Sequence, residues 1–570
     1  MSSMNLEESP SPRAKRKSVA ILWAIFLVAL IIRIAGMQWG LPSEKNTFSL
    51  HPDEPIVLGY SAQIDVAKGK LDPNFYNYGS LYLTTLSIAN KVSTFYAPAG
   101  EGPQAEIQTL RTMHLTGRWI SVFAGAGLVA VTFWMLLLWL PLWASVMGAA
   151  MVAVSPPLVM HSRFQTVDML ATFLLAVGLF YAVKIMVTSA ANPPHIVRWA
   201  VASGLFIGLS AGTKYSGAIA FVALLFALWF VAKEIRLKAL GAGFLCMLLG
   251  FLLGTPGALL NTQAFLRDFS YELGHTAAGH GFVFVETPSG FLYHFGNLVQ
   301  CAGLAGLLLG LAGLGVALYK RQPDSRPLIG LALFAAVFYI AIGRAEVKFI
   351  RYVFPLVPVV AAGFASLIAN AHKSNSVWGR GGVVVGILTL GGAGGQGGLQ
   401  NALLFTQWMS APDTRAVAVD YIKNKLKPTS VGLVSDAWFY TPLFYPEVGA
   451  PRAVPIEKRL EFMAAAQNPR IVQYTTADPS QRRNWDTRLL TETKPDVVVL
   501  SSFELDDMDR IYKAGLDRGN PEAEWNRAHL FMEQLRTLYT PEIVFGEDRP
   551  TIHDLMYVRP AIYIWKRKGI

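Results

Sequence analysis

Two adjacent carboxylates, Asp53 and Glu54, stand between prolines in the stretch FSLHPDEPIVLGY (48–60), a short way past a strongly apolar segment. Acids in such a place suit two roles. At the start of a helix reading DEPIVLGYSAQIDVAKGK, a carboxylate in the first turn favours the helix dipole by about 0.3–1 kcal/mol. Held at a membrane surface and facing cations, a carboxylate can instead act as general base toward a hydroxyl. Neighbouring helical residues point about 100° apart, so the two acids are not expected to share a job. Asp53 is read as the base and Glu54 as an orienting partner, with the reverse assignment left open.

The elements that must position them are those of a membrane protein. The 570 residues are 53% hydrophobic and only 15% charged, against roughly 25% charged in soluble chains. Mean hydropathy is +0.38. Fifty glycines and fourteen tryptophans agree, glycine being frequent in membrane helices and tryptophan at interfaces. The net charge of +11 therefore speaks for orientation and anionic lipid rather than nucleic acid, for which no motif is present. Apolar runs long enough to span fall near 19–37, 119–140, 144–160, 166–187, 198–213, 215–232, 239–259, 291–319, 328–343, 352–371 and 379–405, about eleven helices. The segment 81–98, peppered with Thr, Ser, Asn and Lys, reads as a surface helix.

Positive charge sets the threading. The basic connections RAKRK (13–17), KEIRLK (233–238), YKRQPDSR (319–326) and HKSNSVWGR (372–380) all fall on one side, which makes that side cytoplasmic. Residues 1–18 are then a cytoplasmic basic tail, followed by an uncleaved first membrane helix. The opposite face receives the first loop (38–117) and the tail beyond 406. It also collects Asp53, Glu54, Arg118, His161, Arg163, Asp168, Lys214 and Arg351 from segments far apart in sequence. Ionisable groups at membrane depth are costly and point to function.

Residues 407–570 change character: short apolar runs such as PDVVVLSS and AIYIWKR alternate with helical stretches, the pattern of a small soluble α/β domain. The two cysteines, Cys246 and Cys301, lie in apolar runs and exclude a disulfide framework. GGAGGQGG (391–398) lacks the Lys-Ser/Thr ending of a phosphate loop and reads as close helix packing or a local break. His275 and His280, five apart, are poorly spaced for one metal. Phe75, Tyr76, Tyr78 and Tyr82 cluster in the first loop as interface anchors.

An N-terminal membrane helix followed by an Asp-Glu pair in the first external loop resembles the C-type glycosyltransferase (GT-C) superfamily, in its protein O-mannosyltransferase-like and aminoarabinose-transferase-like branch. HSRFQTVDMLATFLLAVGLFYA (161–182), AGTKYSG (211–217), KFIRYVFPLVPVVAAG (348–363) and DTRAVAVDYIKNKLKP (413–428) carry the same resemblance, over about residues 20–430. It implies a GT-C-like membrane domain (19–406) with a C-terminal extracytoplasmic α/β domain (407–570). The implied enzyme moves a sugar from a polyprenyl-phosphate-linked donor to a protein, lipid or glycan acceptor outside the cytoplasm, inverting the anomeric centre, with no cofactor and no metal.

On that reading Asp53 takes the acceptor proton. Arg118, Lys214 and Arg351 are the candidate ligands of the departing phosphate, arginine by its planar fork and lysine as a point charge. Each has a plainer role: Arg118 and Lys214 can snorkel to headgroups, and Arg351 can pair within its cluster with Arg344, Glu346 and Lys348. Asp168 is an orienting acid, expected to pair with Arg163. His161, Tyr215 and Tyr352 stand beside these groups as orienting or substrate-contact residues. The competing class is a transporter or flippase for a lipid-linked or anionic solute, but the matched halves of such proteins are not found.

Overall fold

The computed structural model describes residues 12–96, 100–188, 193–373, 377–393, 395–450, 454–474 and 483–569. The proposed basic tail (1–18) thus lies outside the described residues for its first eleven positions. The described chain is mostly helical. Among the described residues, five helices are long and apolar enough to cross a membrane: Pro103–Leu137, Asp168–Val187, Lys233–Gly254, Pro323–Gly343 and Ile350–Lys373. Shorter apolar helices include Ser18–Ile34, Leu142–Ala153, His195–Ala211, Tyr215–Trp229 and Gly381–Gly391.

Several expected spans arrive in pieces. The run expected over 291–319 is Gly290–Ala302 and Leu304–Lys320, bent by 106° at Gly303, whose φ of +71° is open to glycine at little cost. The run expected over 379–405 divides into Val377–Gly391 and Gly398–Ser410, and the two breaks meet, since a Cβ on Gly397 would collide with the Gly303 backbone. The GGAGGQGG stretch is therefore both the break and the close contact. Glycines also fit the helix Pro193–Ala211 to Lys233–Gly254: Gly204 and Gly208 lie directly on the backbone of Gly243 and Met247. Small residues four apart let helix backbones approach closely in a membrane.

The segment expected as a surface helix is Leu81–Tyr96, with Tyr82, Leu83, Leu86, Ser87 and Asn90 buried and Phe95 and Tyr96 exposed. Tyr76 and Tyr82 are fully buried rather than interfacial. Their hydroxyls donate to Asp72 (2.5 Å) and to the Gly117 carbonyl (2.9 Å).

The tail folds as the expected strand–helix alternation around one sheet. Its strands are β1 Ser430–Leu433, β2 Arg470–Val472, β3 Val497–Ser501, β4 Tyr539–Phe545 and β5 Ile562–Arg567, in the order β2-β1-β3-β5-β4. β1 runs parallel to β2 and β3, while β5 is antiparallel to both β3 and β4. The tail is not a separate body at its base. Phe439, Tyr440, Leu555, Tyr557 and Val558 belong to the same buried apolar cluster as Phe164, Phe354 and the membrane helices.

Candidate functional site

Asp53 and Glu54 part company at the first turn of the helix Glu54–Ser61. Glu54 points inward and is fully buried. It accepts from Arg118 through both oxygens, Nε at 2.9 Å and Nη2 at 2.8 Å, from the Ser49 hydroxyl at 2.5 Å and from the Gln165 amide at 2.7 Å. Burial alone would raise its pKa, but the Arg118 guanidinium brings it down to about 2. Arg118 is equally enclosed, its Nη1 donating to the carbonyls of Met37 (2.8 Å) and Trp39 (2.5 Å). The expectation that Arg118 meets a phosphate is corrected here. Its donors are spent on Glu54 and the loop backbone, with no exposed face. Glu54, likewise sealed, ties the first loop to the helix Pro103–Leu137 and touches no open space.

Asp53 remains outside that pair. It precedes the first helical turn, yet its carboxylate makes no capping hydrogen bond, so capping does not account for it. The side chain is 36% exposed and its Oδ2 lies 3.6 Å from Nη2 of Arg351. The Asp53 amide donates to Nδ1 of the buried His51 at 3.2 Å, which fixes the turn.

Arg351 is the centre of the site. It opens the 3-10 turn Ile350–Leu356 and stacks over Phe349, 4.1 Å from the ring centroid. Three acids surround it: Asp53, Asp168 at 4.0 Å and Asp554 at 3.8 Å. The alternative pairing within its own cluster does not form, and Lys348 pairs with Glu346 at 3.2 Å. Asp168 begins the helix Asp168–Val187 and binds Lys214 at 2.6 Å. Arg163 is not its partner. That guanidinium donates to the Ile32 carbonyl (2.8 Å) and the Thr406 hydroxyl (2.6 Å), closing the C-terminal end of the first helix, where a cation suits the dipole.

Lys214, a quarter exposed, sits 4.5 Å above the Tyr352 ring. The Tyr215 hydroxyl donates to the Tyr76 carbonyl at 2.7 Å. Arg351, Lys214, Asp168, Tyr215 and Tyr352 line one cavity of about 520 Å³. Its other walls are largely apolar, from Leu175, Ile219, Phe338 and Ile342, with Tyr78, Glu272 and Arg344 adding polar groups. His161 lies behind the cavity, fully buried against Phe164 and Phe354. His275 and His280 contact each other at 3.1 Å, and no group of three metal-ligating side chains occurs among the described residues.

Sequence reasoning missed Asp554 and Tyr557. Both come from IHDLMYV (552–558) in the tail, about two hundred residues beyond Arg351, and no local pattern marks that stretch. Its one signal is an acid flanked by apolar residues.

Residues 98–270 match the family model of dolichyl-phosphate-mannose-protein mannosyltransferases. This bears out the expected resemblance and its enzyme class, a glycosyltransferase. The matched stretch contains Asp168, Lys214 and Tyr215 and includes neither Asp53 nor Arg351. No curated protein matches the chain in sequence. Among solved structures, the apo ArnT of Cupriavidus metallidurans is 14% identical with a TM-score of 0.47, covering 97% of this chain and 98% of its own. The Archaeoglobus fulgidus oligosaccharyltransferase tethered to an acceptor peptide is 13% identical, TM-score 0.47, with coverage of 92% and 73%. The S. cerevisiae Pmt1–Pmt2 complex bound to the sugar donor is 20% identical, TM-score 0.33, with coverage of 45% and 34%.

Proposed function

We propose that this chain is a multi-pass membrane glycosyltransferase that passes a sugar from a polyprenyl-phosphate-linked donor to an acceptor hydroxyl on the extracytoplasmic face. The observation that carries the reading is Asp53: partly exposed, without a capping bond, and 3.6 Å from an arginine that lines a largely apolar cavity. The acceptor oxygen attacks the anomeric carbon while the Asp53 carboxylate takes its proton. The bond from that carbon to the phosphate oxygen breaks with its electron pair on the phosphate, and the centre inverts. Arg351 and Lys214 balance the charge that develops on the leaving phosphate, and cations fixed in advance cost little reorganisation. The apolar walls suit a prenyl chain.

The same reading divides the chain into a cytoplasmic tail (1–18), a membrane transferase domain (19–406) and an extracytoplasmic domain (407–570). The basic connections argue for that sidedness. The test is transfer from a panel of radiolabelled polyprenyl-phosphate sugars into membranes, intact chain against Asp53→Asn. Loss of transfer with donor binding retained supports the base. Labelled lipid crossing the bilayer without transfer would replace the enzyme by a transporter.

A further inference from the structure

The tail reaches into the site through the 3-10 turn His553–Val558. Asp554 is fully buried there. One of its oxygens, Oδ1, accepts from the Ile350 amide at 3.3 Å. The other, Oδ2, lies 3.8 Å from Nη1 of Arg351 and 3.8 Å from Nε2 of His161. The Tyr557 side chain faces Arg351 as well. A single turn of the tail thus meets Arg351 through the adjoining backbone and through side chains.

Nothing else saturates that corner. Arg351 Nη1, Asp554 Oδ2 and both ring nitrogens of His161 are buried without a hydrogen-bond partner among the described residues. An unpaired buried donor is costly, and Arg351, which lines the cavity, therefore keeps bonding capacity for an acceptor. Burial pushes the Asp554 carboxyl up to about 6, against the pull of Arg351.

We infer that Asp554 of the tail is a positioning residue for Arg351, holding the guanidinium between Asp53 and the cavity so that it meets the phosphate of a polyprenyl phosphate. This rests on the proposed role of Arg351 as phosphate ligand. Without Asp554, only Asp53 and Asp168 remain as carboxylates beside the guanidinium. It then collapses onto them, and both base and cation leave their places.

The test is a double-mutant cycle on the full-length protein in detergent, reading binding of undecaprenyl phosphate. Asp554→Asn keeps the size of the side chain. It is expected to weaken binding about tenfold in the wild-type background and no more than about twofold when Arg351 is alanine, the coupling of residues in contact. Tyr557→Phe, which removes one hydroxyl, is expected to show the same coupling at about threefold, and it decides the matter if Asp554→Asn does not fold. Equal losses in both backgrounds, or no loss, would overturn the positioning role and leave Arg351 as phosphate ligand untouched. Wild-type binding by Arg351→Ala alone would remove that ligand, and the inference with it.

Discussion

Two arginine–carboxylate sites built by the same short loop behave in opposite ways. At Glu54 and Arg118 both partners are fully buried and every guanidinium nitrogen is committed. At Asp53 and Arg351 the distance is 3.6 Å, the acid is 36% exposed and the arginine keeps an unpaired donor. The acids are adjacent, and the helical turn sends one inward and the other toward Arg351. A saturated, sealed pair holds a loop in place. A loose pair at a cavity edge can exchange its partners for a substrate.

The largest way to break this contrast is Asp53→Asn, expected to lower sugar transfer by about 10²–10⁴-fold while the melting temperature stays at the wild-type value. Retained transfer would return the acid to a structural role. The mirror experiment is Glu54→Ala, which leaves the Arg118 charge buried and alone. A loss of about 3–5 kcal/mol is expected, read as poor yield and a lower melting temperature in detergent. Wild-type melting would mean that the pair does not hold the loop.

Lys214→Met sharpens the open side. It removes one of the cations that line the cavity and is expected to weaken undecaprenyl phosphate binding about tenfold, and unchanged affinity would take Lys214 out of the site. A further effect is one of pH. The Glu54 pKa is depressed to about 2, so its contribution is complete above the ordinary carboxylate range and is lost progressively as pH falls from that range to 2. Asp554, facing Arg351, His161 and Tyr557, is raised to about 6. Between its unfolded value and 6 the folded state binds the extra proton, so stability falls as pH rises through that window, by about 2–3 kcal/mol. Asp554→Asn should flatten that part of the melting profile, and an unchanged slope would assign it to other groups.

The sequence made the helical character, the first-loop acids and the strand–helix tail legible, because hydropathy and period are local properties. It brought Asp53, Asp168, Lys214 and Arg351 to one face, and the structure gathers those four. It could not tell Arg118 from Arg351, both being arginines at the end of an apolar run. The partners that spend Arg118, Glu54 and the Met37 and Trp39 carbonyls, come from a loop about 64–81 residues away. Gly303 likewise read as one more small residue in a span, until its positive φ bent the chain by 106°.

What the sequence determined by itself was what the chain is dissolved in and which residue types it can spare for chemistry. Apolar length and charge placement depend on the solvent and not on contacts. Which cation is free, which acid is sealed, and that a turn of the tail at Asp554 closes on Arg351 were decided only by the tertiary structure. The availability of a charge depends on how many of its bonds are already made, and here those bonds come from segments far apart in the chain, 204 residues for Asp554 and Ile350 and 243 for Arg163 and Thr406.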